Sequence, residues 1–154
     1  VEEAKMAAKI AINVIDGDVI AQLAPGCEET ESYQKLLESM RMIQQNFGIA
    51  YLYTLYTDGE QVFYGVDTDT SELQAAVGKP FEKSYEALKG VFSGEDYVQD
   101  YIDYTEYGNL ISVYKPIKNS NGEVVGILGC DYDASNVVQR LDASRQFLLQ
   151  DYVW

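Results

Sequence analysis

The chain contains no histidine. That removes the commonest general base, the usual activator of a serine or cysteine nucleophile and the commonest metal ligand. Basic residues are scarce as well: 11 against 25 acidic ones, a formal net charge of −14. A surface of that sign repels phosphate backbones and anionic headgroups, so no nucleic acid is expected as a partner. Two cysteines, Cys27 and Cys130, are too few for a zinc site. They are either one bridge or two free thiols, and Cys130, inside an apolar run, reads as a small core residue. No stretch reaches the roughly 18 consecutive apolar residues of a membrane span, and no signal peptide is visible. The chain opens mid-pattern at Val1 and closes at Tyr152-Val153-Trp154. Those ends read as the edges of an excised domain.

What is present is globular. A length of 154 residues fits a single domain, 1–154, that buries about 70% of its unfolded surface. Apolar residues make up 47%, and 13 tyrosines stand against five phenylalanines and one tryptophan. Tyrosine suits half-buried faces that are apolar on one side and wet on the other.

Periodicity divides the chain into three parts: helices over 1–47, a sheet over 48–132 and a helix over 133–154. Ala8, Ile12, Ile15, Val19 and Leu23 recur at steps of three and four, which predicts a helix over 2–24. Asp16-Gly17-Asp18 marks a break or kink in it, and Pro25-Gly26 stops it. A second helix is expected over Ser32 to Asn46, capped by Gly48. The period then becomes two. Ile49 to Thr57 and Gln61 to Val66 read as a hairpin around a two-residue type I′ turn at Asp58-Gly59. Residues 67 to 80 read as loop, and Phe81 to Phe92 as a short helix with Pro80 at its first turn. Strands are expected over Tyr97 to Tyr104, Asn109 to Ile117 and Glu123 to Asp131, the last two joined at Asn121-Gly122. A helix is expected over Ala134 to Leu149. Five antiparallel strands need a covering layer, and the long N-terminal helix is the natural one. The loop and short helix from 67 to 92 would arch over the other face and enclose a pocket.

Several pieces, in this order and spacing, resemble the extracytoplasmic Cache sensor domains of bacterial receptors. They are Ile15-Asp16-Gly17-Asp18, Pro25-Gly26, Tyr51-Leu52-Tyr53-Thr54-Leu55 and Phe63-Tyr64-Gly65-Val66-Asp67. Val77-Gly78-Lys79-Pro80, Ser112-Val113-Tyr114-Lys115-Pro116-Ile117 and the run from Asn121 to Asp131 complete the set. The likeness spans nearly the whole chain. One departure is Tyr107-Gly108, where many relatives place a tryptophan before the glycine. The resemblance implies an α+β, PAS-like sheet outside the membrane, carried between membrane-spanning helices that precede and follow this chain. It also implies small-molecule binding and signalling through the terminal helices to a chemotaxis, kinase or cyclic-dinucleotide module.

Alternation predicts which side chains face the pocket. Ile127, Gly129 and Asp131 share one face and Leu128 and Cys130 the other. Ser112 and Tyr114 share a face, as do Tyr51, Tyr53 and Leu55. Gly126 and Gly129 beside Asp131 would leave room for a pocket floor. The candidate ligand-binding residues are Tyr53, Tyr64, Tyr101, Ser112, Tyr114 and Asp131. In Cache relatives an acid at the end of the last strand often holds a ligand amine, and Asp131 matches that position. Asp131 can equally cap the following helix, and each tyrosine can be plain amphipathic packing. Lys79, before Pro80, can reach into the pocket, but a solvated lysine is the preferred reading. Asp67-Thr68-Asp69-Thr70-Ser71 begins like a calcium loop, but Glu72 and Gly78 stand where glycine and glutamate belong. No metal, cofactor or catalytic constellation is called for.

Ligand entry would move the lid, the last strand and the exit helix. A second apolar stripe, Ala7, Ile10 and Val14, suits a homodimer through the N-terminal helix. Two rivals remain: a cytoplasmic PAS- or GAF-like cofactor module, and a ligand-free dimerisation domain.

Overall fold

The computed structural model describes residues 2–135. Helix α1 (Glu2–Val14) buries Ala4, Ala7, Ala8 and Ala11 completely. Four alanines on one face let the helix axis lie close to its neighbours, so that the Cys130 thiol reaches the Ala4 carbonyl at 3.5 Å. The expected break is real. Asp16 turns extended and its carboxylate accepts the Asp18 N–H at 2.9 Å, capping the single turn α2 (Gly17–Ile20). Helix α3 (Glu31–Phe47) starts on a Thr30 cap and ends at Gly48, whose φ of 60° closes it.

Strands β1 (Tyr51–Thr57) and β2 (Val62–Asp67) form the first hairpin. Its turn is longer than expected. Thr57 pairs with Val62, leaving residues 58–61 as the loop. The Asp58 carboxylate accepts the N–H groups of Glu60 and Gln61 at 2.9 and 2.8 Å, and only Gly59 takes a positive φ. A type I′ turn would need Asp58 there too. The short helix is also displaced. Pro80 bridges Phe63 on the edge of β2, and α4 (Tyr85–Phe92) begins four residues later on a Ser84 cap. The single strand expected over 97–104 is two, β3 (Tyr97–Val98) and β4 (Asp103–Thr105). Both pair with β5 (Gly108–Lys118), which returns as β6 (Val124–Asp133). Strand β5 runs through Pro116 because β3 and β4 pair only with Val113–Tyr114 and Gly108–Leu110, so the missing N–H faces no partner strand. The β5–β6 turn falls where expected. Asn119 Oδ1 accepts two backbone N–H groups, and Gly122 has a φ of 81°.

The strand order is β2-β1-β6-β5-β3, with β4 beside β5: an antiparallel sheet of six strands rather than five, two of them very short. One face packs Leu52, Val66, Val113, Leu128 and Cys130 against α1 and α3. The other packs Tyr53, Leu55, Tyr114 and Ile127 against Leu88 and Val91 of α4. The alternation expected for β1, β5 and β6 therefore holds. Gly126 is a correction. It lies on the helix face, where a Cβ would sit 2.8 Å from the Leu55 oxygen and 3.0 Å from Ile20 Cγ2. On α1, Ala7 is buried, so the exposed apolar stripe is Met6, Ile10 and Val14. Both cysteines are free. The helix expected over Ala134 to Leu149 lies outside the described residues, apart from its start. No helix among the described residues is long and apolar enough to cross a membrane.

Candidate functional site

Register brings the site together. On the face away from α1, Asp131 lies between Tyr51 of β1 and Ser112 of β5, and Gly129 between Tyr53 and Tyr114. The Tyr53 ring lies down across Gly129, where any Cβ would come within 2.5 Å of its Cζ. The glycine is thus a bed for an aromatic ring, not open floor as its sequence suggested. Lying there, Tyr53 donates its hydroxyl hydrogen to Asp131 Oδ1 at 2.9 Å, and Ser112 donates to the same oxygen at 2.8 Å. Asp131 is 8% exposed. Burial disfavours its charged form and pushes it up from 3.8 to about 6. The two hydroxyls and the Lys83 ammonium pull the other way, and Glu82 adds to the rise. Among the described residues no backbone N–H donates to the Asp131 side chain, and Asp133 accepts the Ser135 N–H at 2.9 Å.

The cavity above this floor has a volume of about 390 Å³, within the usual range for small-molecule sites. Its walls are aromatic. Tyr64 and Phe81 pack edge to face at 5.2 Å, and both pack on Tyr53 at 5.8 Å. The Tyr64 hydroxyl donates to Glu82 of the lid at 3.2 Å, and burial with that acid pushes the phenol well above its ordinary value. At the mouth, Tyr51 meets Tyr107 edge-on at 6.2 Å. Asp67 lines the cavity, but its oxygens accept the Ala75 and Asp69 N–H groups at 2.8 and 3.1 Å. The calcium-like run is thus a loop folded around its own first carboxylate. Arg41 of α3 ties it down through the Thr68 and Asp69 carbonyls.

Five of the six expected residues converge: Tyr53, Tyr64, Ser112, Tyr114 and Asp131 all line the cavity. Tyr101 does not. It is 53% exposed and lies outside the lining, because the chain leaves β3 before it and rejoins the sheet only at Asp103. Lys83 and Gln99 carried no sequence signal. The Lys83 ammonium sits 5.4 Å over the Tyr114 ring and donates to Gln99 Oε1 at 3.4 Å. Burial lowers the Lys83 pKa, but Tyr114, Tyr101 and Asp131 outweigh it and the net shift is upward. Lys79 is exposed, as read, and also lines the cavity.

The hydroxyl network makes a direct prediction. Tyr53→Phe removes one of two hydrogen bonds that favour ionised Asp131. The Asp131 carboxyl should then titrate above about 6, read from its ¹³C shift against pH. An unchanged midpoint would show that the bond does not hold the charge.

No protein-family model matches the chain, and no curated protein matches its sequence. Solved structures do. The sensor domain of the V. cholerae histidine kinase DctB matches 79% of the chain at a TM-score of 0.60 and 11% identity, over 44% of its own length. The sensory domain of the Campylobacter jejuni chemoreceptor Tlp3 with isoleucine bound matches 85% at 0.52 and 14%, over 51% of its length. The ligand-binding domain of the same chemoreceptor with L-norvaline matches 88% at 0.52 and 15%, over 57%. The chain spans about half the length of these structures. At such identities the likeness is one of fold. The chain has the PAS-like α+β fold of bacterial sensor domains, which bears out the Cache resemblance at that level.

Proposed function

We propose that this chain is the extracytoplasmic ligand-binding domain of a membrane signal-transduction receptor and that it binds a small, amino-bearing molecule in the cavity over Asp131. The observation that carries the reading is the state of that carboxylate. It is nearly buried, one oxygen holds two hydroxyls, and the other has no hydrogen-bond partner among the described residues. A largely buried charge with one oxygen open to the cavity and no hydrogen bond there is costly, and a ligand ammonium would offset the cost. The fold shared with sensory domains of a chemoreceptor and a histidine kinase supports a sensor rather than an enzyme.

Signalling would start at the lid. Glu82 and Lys83 hang over the site from the segment before α4, and Asp131 lies three residues from the start of the exit segment. A ligand that draws lid and floor together moves both ends of this unit, provided it binds one state better than the other. In the full receptor, flanking helices would anchor the domain in the membrane, and the Met6, Ile10 and Val14 stripe would face a second copy. A chemotaxis, kinase or cyclic-dinucleotide module would receive the signal.

A thermal-shift panel of amines, amino acids, carboxylates and sugars tests this. A true ligand at 100 times its Kd should add about 2.7 kcal/mol to stability. That is a rise in Tm of roughly 5–10 °C for a domain of this size. A panel without any shift, together with soaked crystals that show no density over Asp131, would overturn the reading.

A further inference from the structure

The charges around the cavity say more about the ligand than that it carries an amine. The inference rests on reading the cavity as a ligand site. Five further carboxylates line it beyond the floor: Asp67, whose oxygens already accept the Ala75 and Asp69 N–H groups, and Asp69, Glu82, Asp103 and Glu106. None of the ion pairs among the described residues involves any of them. Among the described residues only two cations line the same space, Lys79 and Lys83, and no arginine does. Lys83 is already engaged by the Tyr114 ring and by Gln99, and it lies in the field of Asp131. Lys79 faces the field of Asp67.

An acidic ring alone would mean little. The second observation is Asp131 itself, more than nine-tenths buried, with Oδ2 left over in the cavity wall after Tyr53 and Ser112 have both bonded Oδ1. That oxygen calls for a cation at the floor. A zwitterionic amino acid would bring its carboxylate to within two bonds of its ammonium carbon. Its negative charge would then lie beside Asp131, below an acidic mouth, with Lys83 already engaged and Lys79 in the field of Asp67. The aromatic walls, by contrast, favour a cation and its methylene chain over their faces. We propose that the ligand is an organic cation without a carboxylate, an aliphatic amine or diamine. Its ammonium rests on Asp131 Oδ2, its chain lies between Tyr53, Tyr64 and Tyr114, and the acidic mouth draws it in.

Two matched pairs, each differing only by a carboxylate, test this by calorimetry: 1,4-diaminobutane against L-ornithine, and butylamine against L-norvaline. Each amine should bind about tenfold or more tightly than its amino acid, as expected when specificity comes from like-charge repulsion. Affinity should fall with added salt, and Asp131→Asn should abolish binding. The double variant Glu82→Gln, Glu106→Gln should weaken 1,4-diaminobutane several-fold more than butylamine. If L-norvaline or L-ornithine binds as tightly as its amine and Asp131→Asn still abolishes it, this inference falls while the sensor reading stands. If none of the four binds and the wider panel is also silent, both fall.

Discussion

Asp131→Asn should give a protein that is more stable at neutral pH and blind to its ligand. The stability half follows from linkage. The buried carboxylate has its pKa raised from 3.8 to about 6. A carboxylate raised on folding binds more protons folded than unfolded, so its contribution falls as pH climbs from about 4 to about 6 and stays lost above that. Each unit corresponds to about 1.4 kcal/mol, so ionised Asp131 costs the folded state on the order of 3 kcal/mol at pH 7. Asparagine removes the charge but keeps an oxygen where the Tyr53 and Ser112 hydroxyls can still donate. A gain of about 1–3 kcal/mol is expected at pH 7, or roughly 3–9 °C in Tm. At pH 4 and below the gain should vanish, because both folded proteins are then neutral at this position. Denaturant melts at the two pH values, with and without an amine, measure all of it. A variant that is destabilised at pH 7 would make Asp131 a structural residue and remove the reason to seek a ligand there. Few functional assignments separate so cleanly from structural ones, since a residue kept for stability should not be improved by losing its charge.

Gly17→Ala should be the most damaging single methyl in the described part of the chain. Helix propensity alone favours alanine by about 1 kcal/mol. Packing decides otherwise. Gly17 opens α2 flat against the end of β5, and a Cβ there would run into the Lys118 carbonyl oxygen, lie 2.6 Å from its carbonyl carbon and 3.0 Å from Asn119 Cα. All three are backbone atoms, so no side chain can swing aside. Helix α2 would have to lift off the β5–β6 turn, breaking the bonds that the Ser120 N–H and hydroxyl donate to Asp18 at 3.1 and 3.2 Å. Overpacking of about 1–3 kcal/mol and the loss of those exposed bonds, about 1 kcal/mol together, outweigh the propensity gain. A net loss of about 1–3 kcal/mol, or roughly 2–12 °C in Tm, is expected in a thermal melt. Ser120→Ala, which removes only the hydroxyl bond, should cost less than about 1 kcal/mol. Equal Tm values for wild type and Gly17→Ala would mean that α2 does not seat on the hairpin as described. The contact also has a functional side, because it is where the break in the N-terminal helices meets the same hairpin that carries Asp131.

The sequence by itself determined the layers and the faces. Strand alternation has a period of two and depends only on the chain's own geometry, so it was enough to put Tyr53, Ser112, Tyr114 and Asp131 on one side and Leu128 and Cys130 on the other. Caps are equally local, and the Asp16 break and the Gly48 stop both stand as read. Where neighbours in the chain are not neighbours in space, local rules fell short. The turn at Asp58 grew because a carboxylate found two amides, and Pro80 left the helix for a bridge to Phe63. Residues 97–105 split in two because β5 offers pairing at two separate places. Only the tertiary structure could lay Tyr53 on Gly129, leave Tyr101 outside and hang Lys83 over Tyr114. Those meetings are set by how a lid without periodicity settles on a sheet built from strands far away in sequence. The lid also sets the charge of the site, since it supplies both Lys83 and Glu82 above the one carboxylate that alternation had already placed at the floor.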